Sequence, residues 1–259
     1  MSFHICVPSY NRPKVINEKT LSFLGRMGMN EKFIDIIVET EEMKVDYLNI
    51  NPKLNIIVSN TNGIKEKRNF VRSYYQNNTN ITNLVCVDDD IDEIMDWDKP
   101  ITQDRFYEVI EEGFKLCHEK KLCVWGVSPF HNTFFLKKNV STNLKYICGA
   151  FFGLVIDRDK EVLQTSFDHY EDFCFTCQHF LRDGGVLRFN DVALKTKYFN
   201  PNGGITGWYG GKEERAKAQK QDALRFVELY PQMAKIITKK YGDDLRLNHR
   251  FKSPVNNNN

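Results

Sequence analysis

Leu84-Val85-Cys86-Val87-Asp88-Asp89-Asp90 joins a short, β-branched apolar run directly to three carboxylates. The first four residues read as a buried strand, and open α/β sheets gather their ligands at the carboxyl ends of such strands. Three successive acids repel one another and raise one another's pKa unless a cation neutralises them. A hard divalent ion takes oxygen ligands, and Mg²⁺ in particular is held by one or two carboxylates together with substrate phosphates. A solvated acidic turn or a helix N-cap would use the same residues. The strand before the triplet and the loops around it favour a metal–diphosphate site.

Upstream, strand and helix patterns alternate. Phe3–Val7, Phe33–Val38 and Leu54–Ser59 read as strands, and Val15–Met27, Met43–Leu48 and Ile64–Tyr75 as helices. That alternation predicts an α/β fold, a mostly parallel central sheet with helices on both faces. After a helix over Gln103–Glu119, the closely spaced runs Leu122–Val127, Thr133–Leu136, Lys145–Cys148 and Phe152–Ile156 predict a smaller antiparallel part. A further helix runs from Glu171 to the Gly184-Gly185 C-cap, followed by a strand over Val186–Leu194. Lys212–Tyr241 is expected to be a helical C-terminal extension, interrupted at Pro231. The expected organisation is one domain over residues 1–211, with 212–259 packed on it.

The 259 residues suffice for a full core, and 27% charged with 41% hydrophobic residues is an ordinary globular composition. A net charge of +2 does not by itself announce a nucleic-acid binder. No apolar run approaches the ~20 residues of a membrane span. Phe3–Val7 is too short for a signal-peptide core and Pro8 ends it, so a cytoplasmic location is expected (host cytoplasm for a viral protein). The seven cysteines sit mostly in apolar runs, as reduced buried thiols do. Cys174 and Cys177 form a CxxC with no second pair, and core packing is the expected role.

Several loops fall at the same sheet edge as the acids. Val7-Pro8-Ser9-Tyr10-Asn11-Arg12-Pro13 offers a Tyr face for stacking on a base and an Arg for phosphate. Glu39, Thr40 and Glu41 suit either base recognition or capping of the next helix. In Gly63-Ile64-Lys65-Glu66-Lys67-Arg68-Asn69, Arg68 lies in line with Ile64, Val71 and Tyr75, so an inward guanidinium is expected at a helix start that attracts anions. Its partner would be a diphosphate or the Asp88–Asp90 cluster, while Lys65 and Arg72 read as solvent-facing. Glu171 and Asp172 would either cap their helix or provide a general base. The five-glycine stretch Asn200–Gly211 reads as a lid, with Trp208 and Tyr209 placed to stack on an acceptor or sugar. Lys137-Lys138 and the basic residues of Lys212–Lys220 are candidate phosphate contacts, and His249 is a candidate late metal ligand.

In order along residues 3–195, these segments resemble the GT-A nucleotide-sugar glycosyltransferases: Val7–Arg12 the first nucleotide loop, Gly63–Asn69 the basic helix start, Val87–Asp90 the DxD element, Gly149-Ala150-Phe151-Phe152-Gly153 the sugar-facing segment, and Glu171-Asp172 the acidic pair. The resemblance implies Mn²⁺ or Mg²⁺ held by Asp90 and Asp88, and Asp172 as base with Glu171 beside it. It also implies a nucleotide-sugar donor, expected to be a UDP-sugar, held by Pro8, Tyr10, Arg12, Glu39, Gly63, Lys67, Arg68, Asp88, Asp89 and Gly149. Within the class the compact size, the Arg-Asn after the helix start and the acidic triplet are most similar to TET-associated and phage-type DNA-base glycosyltransferases. That likeness implies hydroxymethylated pyrimidines in DNA as acceptor and no membrane partner. A glycan, lipid or protein acceptor, or a non-catalytic nucleotide-binding domain, is the alternative. The late histidine of those enzymes has no clear counterpart here.

Overall fold

The structure is a computed structural model and describes residues 2–195, 212–239 and 242–255. The chain opens with β1 (His4–Pro8), followed by α1 (Pro13–Ile16), a π-helical segment Asn17–Leu21, and α2 (Ser22–Arg26). Next come β2 (Ile34–Val38), α3 (Glu41–Ile50), β3 (Asn55–Val58), α4 (Gly63–Asn78) and β4 (Asn83–Val87). A short pair, β5 (Glu93–Asp96) and β6 (Lys99–Pro100), precedes α5 (Gln103–Lys120) and β7 (Val124–Ser128). Then β8 (Val140–Ser141), β9 (Phe151–Val155), α6 (Glu171–Asp183) and β10 (Leu187–Lys195) complete the main sheet. Finally α7 (Lys212–Leu229) is followed by β11 (Ala234–Lys239) and β12 (Gly242–Leu247).

Strand order places the site. The described residues form a sheet ordered β3-β2-β1-β4-β9-β7-β10-β5-β6, with β8 on β10. The first four strands are parallel. The chain moves outward from β1 through β2 to β3, then returns to place β4 on the other side of β1. That reversal opens a crevice at the carboxyl ends of β1 and β4. Because β9 is antiparallel to both β4 and β7, β7 points the same way as β4, and β10 runs parallel to β7. The carboxyl ends of β1, β2, β4 and β7 therefore share one edge with the start of β9.

Both faces of the sheet are buried, as the near-continuous apolar strands require. Ile5 and Val7 pack with Ile16, Phe23, Tyr47 and Phe106 under α2, α3 and α5. Their neighbour Cys6 faces the opposite way, toward Val71, Tyr75, Phe175 and Phe226 under α4, α6 and α7. Trp125 fits into β7 because Gly153 on β9 and Gly113 on α5 leave room; a Cβ at either would fall inside van der Waals contact of its indole. Ala223, Phe226, Met233, Leu245 and Leu247 of the C-terminal part share the core of Phe167, Phe175 and Phe180. All seven cysteines are buried and free, Cys174 and Cys177 among them.

Several boundaries differ from the sequence expectation. Thr133–Leu136 is a turn in which Asn132 Oδ1 accepts from Phe134 N at 3.1 Å; only Leu136 is buried, while Phe134 is 85% exposed. Lys145–Cys148 joins no ladder; Ile147 N donates to the Thr176 hydroxyl at 3.2 Å instead. Past Leu229 the tail leaves the helix, and Ala234–Lys239 pairs antiparallel with Gly242–Leu247. The β-branched run Ile236-Ile237-Thr238 suits a strand better than a helix. Among the described residues no helix is long and apolar enough to cross a membrane.

Candidate active site

The crevice between β1 and β4 is built from the two loops that leave those strands. Asp89 turns inward, where Ser9 Oγ donates to its Oδ2 at 2.6 Å and Arg12 Nη1 to its Oδ1 at 3.2 Å. Ser9 Oγ also meets Tyr47 OH at 2.5 Å, and Arg12 N donates to that same hydroxyl at 3.0 Å. Asp89 thus anchors the acidic loop to the first loop. Thr20, from the π-helical segment, donates to the Asp88 carbonyl at 2.7 Å and accepts from Ile91 N at 3.0 Å. A π turn inside a helix is frequent at functional sites; here it aims Thr20 at the acidic loop.

Asp88 and Asp90 behave differently from Asp89. Their side chains are 31% and 32% exposed, and each engages one oxygen: Asp88 Oδ1 with Arg68 Nη2 at 2.9 Å, Asp90 Oδ2 with Arg12 Nη1 at 3.3 Å. Desolvation, with Asp90 and Asp89 adding to it against the opposing Arg68, pushes Asp88 up to about 7. A bound cation would reverse that shift.

Arg68 lies inward as its place on the helical stripe predicted. It is buried and bridges Asp88 on the β4 side to Glu171 at the start of α6. The carboxylates of Glu171, Asp88 and Asp172 hold the guanidinium firmly charged against the cost of burial. Burial pushes Glu171 up to about 7, with Asp172 and Asp88 adding and Arg68 opposing. Gly149 is required here, since a Cβ at that position would overlap the Arg68 guanidinium. Lys67 is also buried: its Nζ donates to Ser9 O at 2.8 Å and pairs with Glu39 at 3.2 Å. Burial pulls the Lys67 pKa down and Glu39 opposes it.

Glu39 also accepts from Gly63 N at 3.0 Å, and Glu66 from Asn62 N at 2.9 Å. The α4 N-terminus is therefore occupied by the protein's own carboxylates. Thr40 caps α3 through Met43 N at 3.2 Å. Pro8 is the buried last residue of β1, while Tyr10 is exposed and lies over Lys67 Nζ at 5.4 Å. Lys65 is partly covered and pairs with Asp168 at 3.0 Å. Arg72, expected to face solvent, is instead buried against Phe175, its guanidinium 5.1 Å from the ring centre; α6 covers a helix face that looks polar in isolation.

Asp172 is half-buried and accepts from Tyr146 OH, from Phe173 N at 2.9 Å and from Gly149 N at 3.4 Å. Sequence reading missed Tyr146, Ser9, Tyr47 and Thr20. Thr20 alone left a trace, as a small polar residue on the apolar side of a predicted helix. Trp208 and Tyr209 lie outside the described residues. His249 is exposed, and its carbonyl accepts from Asn143 Nδ2 at 2.8 Å. Among the described residues no three His, Cys, Asp or Glu side chains are grouped so as to hold a metal ion. The remaining donor set still suits Mn²⁺ or Mg²⁺: Asp88 and Asp90 each keep one oxygen without a protein partner, and a hard ion completes its shell with water and phosphate.

No protein-family model matches the chain, and no curated protein does. Solved structures do share its fold. TarS of S. aureus, residues 1–349 with UDP-GlcNAc, superposes with a TM-score of 0.51 at 17% identity, covering 88% of this chain and 67% of that one. A mannosyltransferase from Pyrobaculum calidifontis, in complex with GDP-Man and Mn²⁺, gives 0.56 at 13% identity over 87% and 64%. Glucosyl-3-phosphoglycerate synthase of M. tuberculosis gives 0.55 at 10% identity over 98% and 90%. The chain spans about two thirds of the length of the first two. At these identities the likeness establishes the fold, which is the GT-A type of the nucleotide-sugar glycosyltransferases.

Proposed function

We propose that this protein is a cytoplasmic, metal-dependent glycosyltransferase that moves a sugar from a nucleotide-sugar, expected to be a UDP-sugar, to a hydroxyl acceptor. The observation that carries this reading is Arg68, buried at the switch point of a GT-A sheet and bridging Asp88 to Glu171. It joins the acidic loop to the acidic helix start, where a leaving diphosphate needs positive charge beside a general base. Asp88 and Asp90 would hold the ion, and Tyr10 offers its exposed face to the base. The ion, when bound, supplies Lewis-acid charge to the diphosphate oxygens. Asp172 takes the acceptor proton as the hydroxyl oxygen bonds to the anomeric carbon. The bond from that carbon to the diphosphate oxygen breaks, and its electron pair leaves with the nucleoside diphosphate, beside Arg68.

For the acceptor we propose a hydroxymethylated pyrimidine in phage or viral DNA. The exposed Lys137 and Lys138, on the loop leaving β7 at the same sheet edge, support this choice, together with the basic residues spread over Lys212–Lys220. Incubation with Mn²⁺ and a panel of sugar nucleotides, with hydroxymethylated or plain duplex DNA, tests both levels. Nucleoside diphosphate release with a hexose or pentose mass added to the modified DNA is expected. Release of nucleoside diphosphate without DNA modification overturns the acceptor, and no release with any donor overturns the enzyme.

A further inference from the structure

Lys145 and Arg188 direct two positive nitrogens at one neutral oxygen. Lys145 Nζ and Arg188 Nε each lie 2.9 Å from Asn190 Oδ1, so they stand no further apart than twice that distance. Asn190 is buried and its amide nitrogen is engaged with Asn139 and Ser141, which holds the shared oxygen in place. Lys137 adds a third charge to the group, and its backbone N–H donates to Asn190 O at 3.0 Å. Among the described residues no carboxylate pairs with Lys145 or Arg188, although both are half-buried. Burial first, then Arg188 and Lys137, pull Lys145 down to about 8, and burial pulls Arg188 down to about 10. Partly desolvated charges in proteins are normally paired, so two converging half-buried cations without an acid, with the exposed Lys137 adding to their charge, point to an anion from outside.

Placement says what that anion belongs to. Lys145 precedes Tyr146, whose hydroxyl donates to Asp172, and Arg188 Nη1 donates to the Tyr146 carbonyl at 3.3 Å. The cations and the candidate base are thus linked through one tyrosine. A planar guanidinium beside an ammonium matches the oxygens of a phosphoryl group. We propose that Lys145, Arg188 and Lys137 bind a phosphoryl group carried by the acceptor, holding its hydroxyl-bearing part toward Asp172. The anion site stands on its own geometry; assigning it to the acceptor rests on the glycosyl-transfer reading above.

Titration of inorganic phosphate into the full chain at pH 7, followed by lysine side-chain NMR and calorimetry, tests the site. Lys145→Gln and Arg188→Gln should each weaken phosphate binding at least tenfold, while Lys145→Arg keeps it within about threefold, since loss of a charge-assisted contact is decisive and its replacement by another cation is not. Phosphate should also raise the Lys145 pKa by about one unit or more. Should Arg188→Gln not fold, Lys137→Gln together with Lys145→Gln decides. Equal binding by wild type and Lys145→Gln, or a Lys145 pKa that phosphate does not move, overturns the proposal. Glycerol 3-phosphate and a short hydroxymethylated duplex, run against the same variants, distinguish a small phosphate ester from a DNA backbone; independence of both ligands from Lys145 overturns the acceptor assignment. UDP binding with Mn²⁺ to the wild-type protein reports separately on the donor site. Its failure beside a variant-sensitive phosphate site would remove the enzymatic reading and leave the anion site standing.

Discussion

Asp89 and Asp90 are neighbours with opposite tasks, and only their partners tell them apart. Asp89 is held by Ser9 and Arg12, whereas Asp90 keeps a free oxygen and a single 3.3 Å contact to Arg12. Asp90→Ala should therefore cost about 1 kcal/mol of stability or less, as exposed ion pairs do, yet abolish Mn²⁺-dependent turnover. Thermal melting and kcat on the same sample check both halves, and full turnover would remove Asp90 from the metal site. Gly149 is the converse case, a residue with no side chain that decides where another goes. Gly149→Ala must push Arg68 from its bridge between Asp88 and Glu171. A fall in kcat of about tenfold to a thousandfold is expected, comparable to loss of one charge-stabilising group, with far-UV circular dichroism unchanged. Wild-type kcat would show that the bridge is not needed.

At the scale of elements, the first helical stretch is more than a cover for the sheet. Its π turn spans Asn17–Leu21, and Thr20 inside it ties the Asp88 carbonyl to Ile91 N. Thr20→Val keeps the shape and removes the hydroxyl, leaving a buried N–H without its acceptor at a cost of about 1–3 kcal/mol. The same change should weaken Mn²⁺ binding severalfold, because Asp88 loses its backbone anchor. Chemical denaturation and metal titration measure the two effects, and unchanged metal affinity would mean the loop is held by Asp89 alone. Element types were mostly legible: the parallel strands show as short apolar runs and the long helices by their period. The misses share a cause. Lys145–Cys148 has strand composition but pairs with a side chain of α6, and Thr133–Leu136 is a short apolar run that nevertheless exposes its aromatics. Neither partner can be read from the segment.

For the whole molecule, two acids at the centre of the site set a pH window. Asp88 and Glu171 both lie near 7, so below neutrality each gains a proton and loses its charge. A metal must displace that proton, so Mn²⁺ affinity should fall by up to about tenfold per pH unit below pH 7 and level off above pH 8. Binding measured by electron paramagnetic resonance at pH 6, 7 and 8 tests this, and a flat profile would place the ion elsewhere. The C-terminal part shares its apolar core with α6 and the sheet through Phe226, Met233 and Leu245. We therefore propose that residues 212–255 and the main sheet unfold as one unit, with a single calorimetric transition whose van't Hoff and calorimetric enthalpies agree. Two separated transitions would make the extension an independent domain.

By itself, the sequence determined most of the main-sheet strands and the long helices, that three acids follow β4, and that Arg68 faces inward. Each of these depends on residues close together along the chain, where periodicity and neighbouring charge act directly. Only the tertiary structure decided that Arg68 meets Glu171, 103 positions away, that Lys67 is consumed by Glu39, and that Lys145 and Arg188 converge without an acid between them. Those pairings follow from the order in which strands lie side by side, and strand order is a property of the assembled sheet that no local pattern carries.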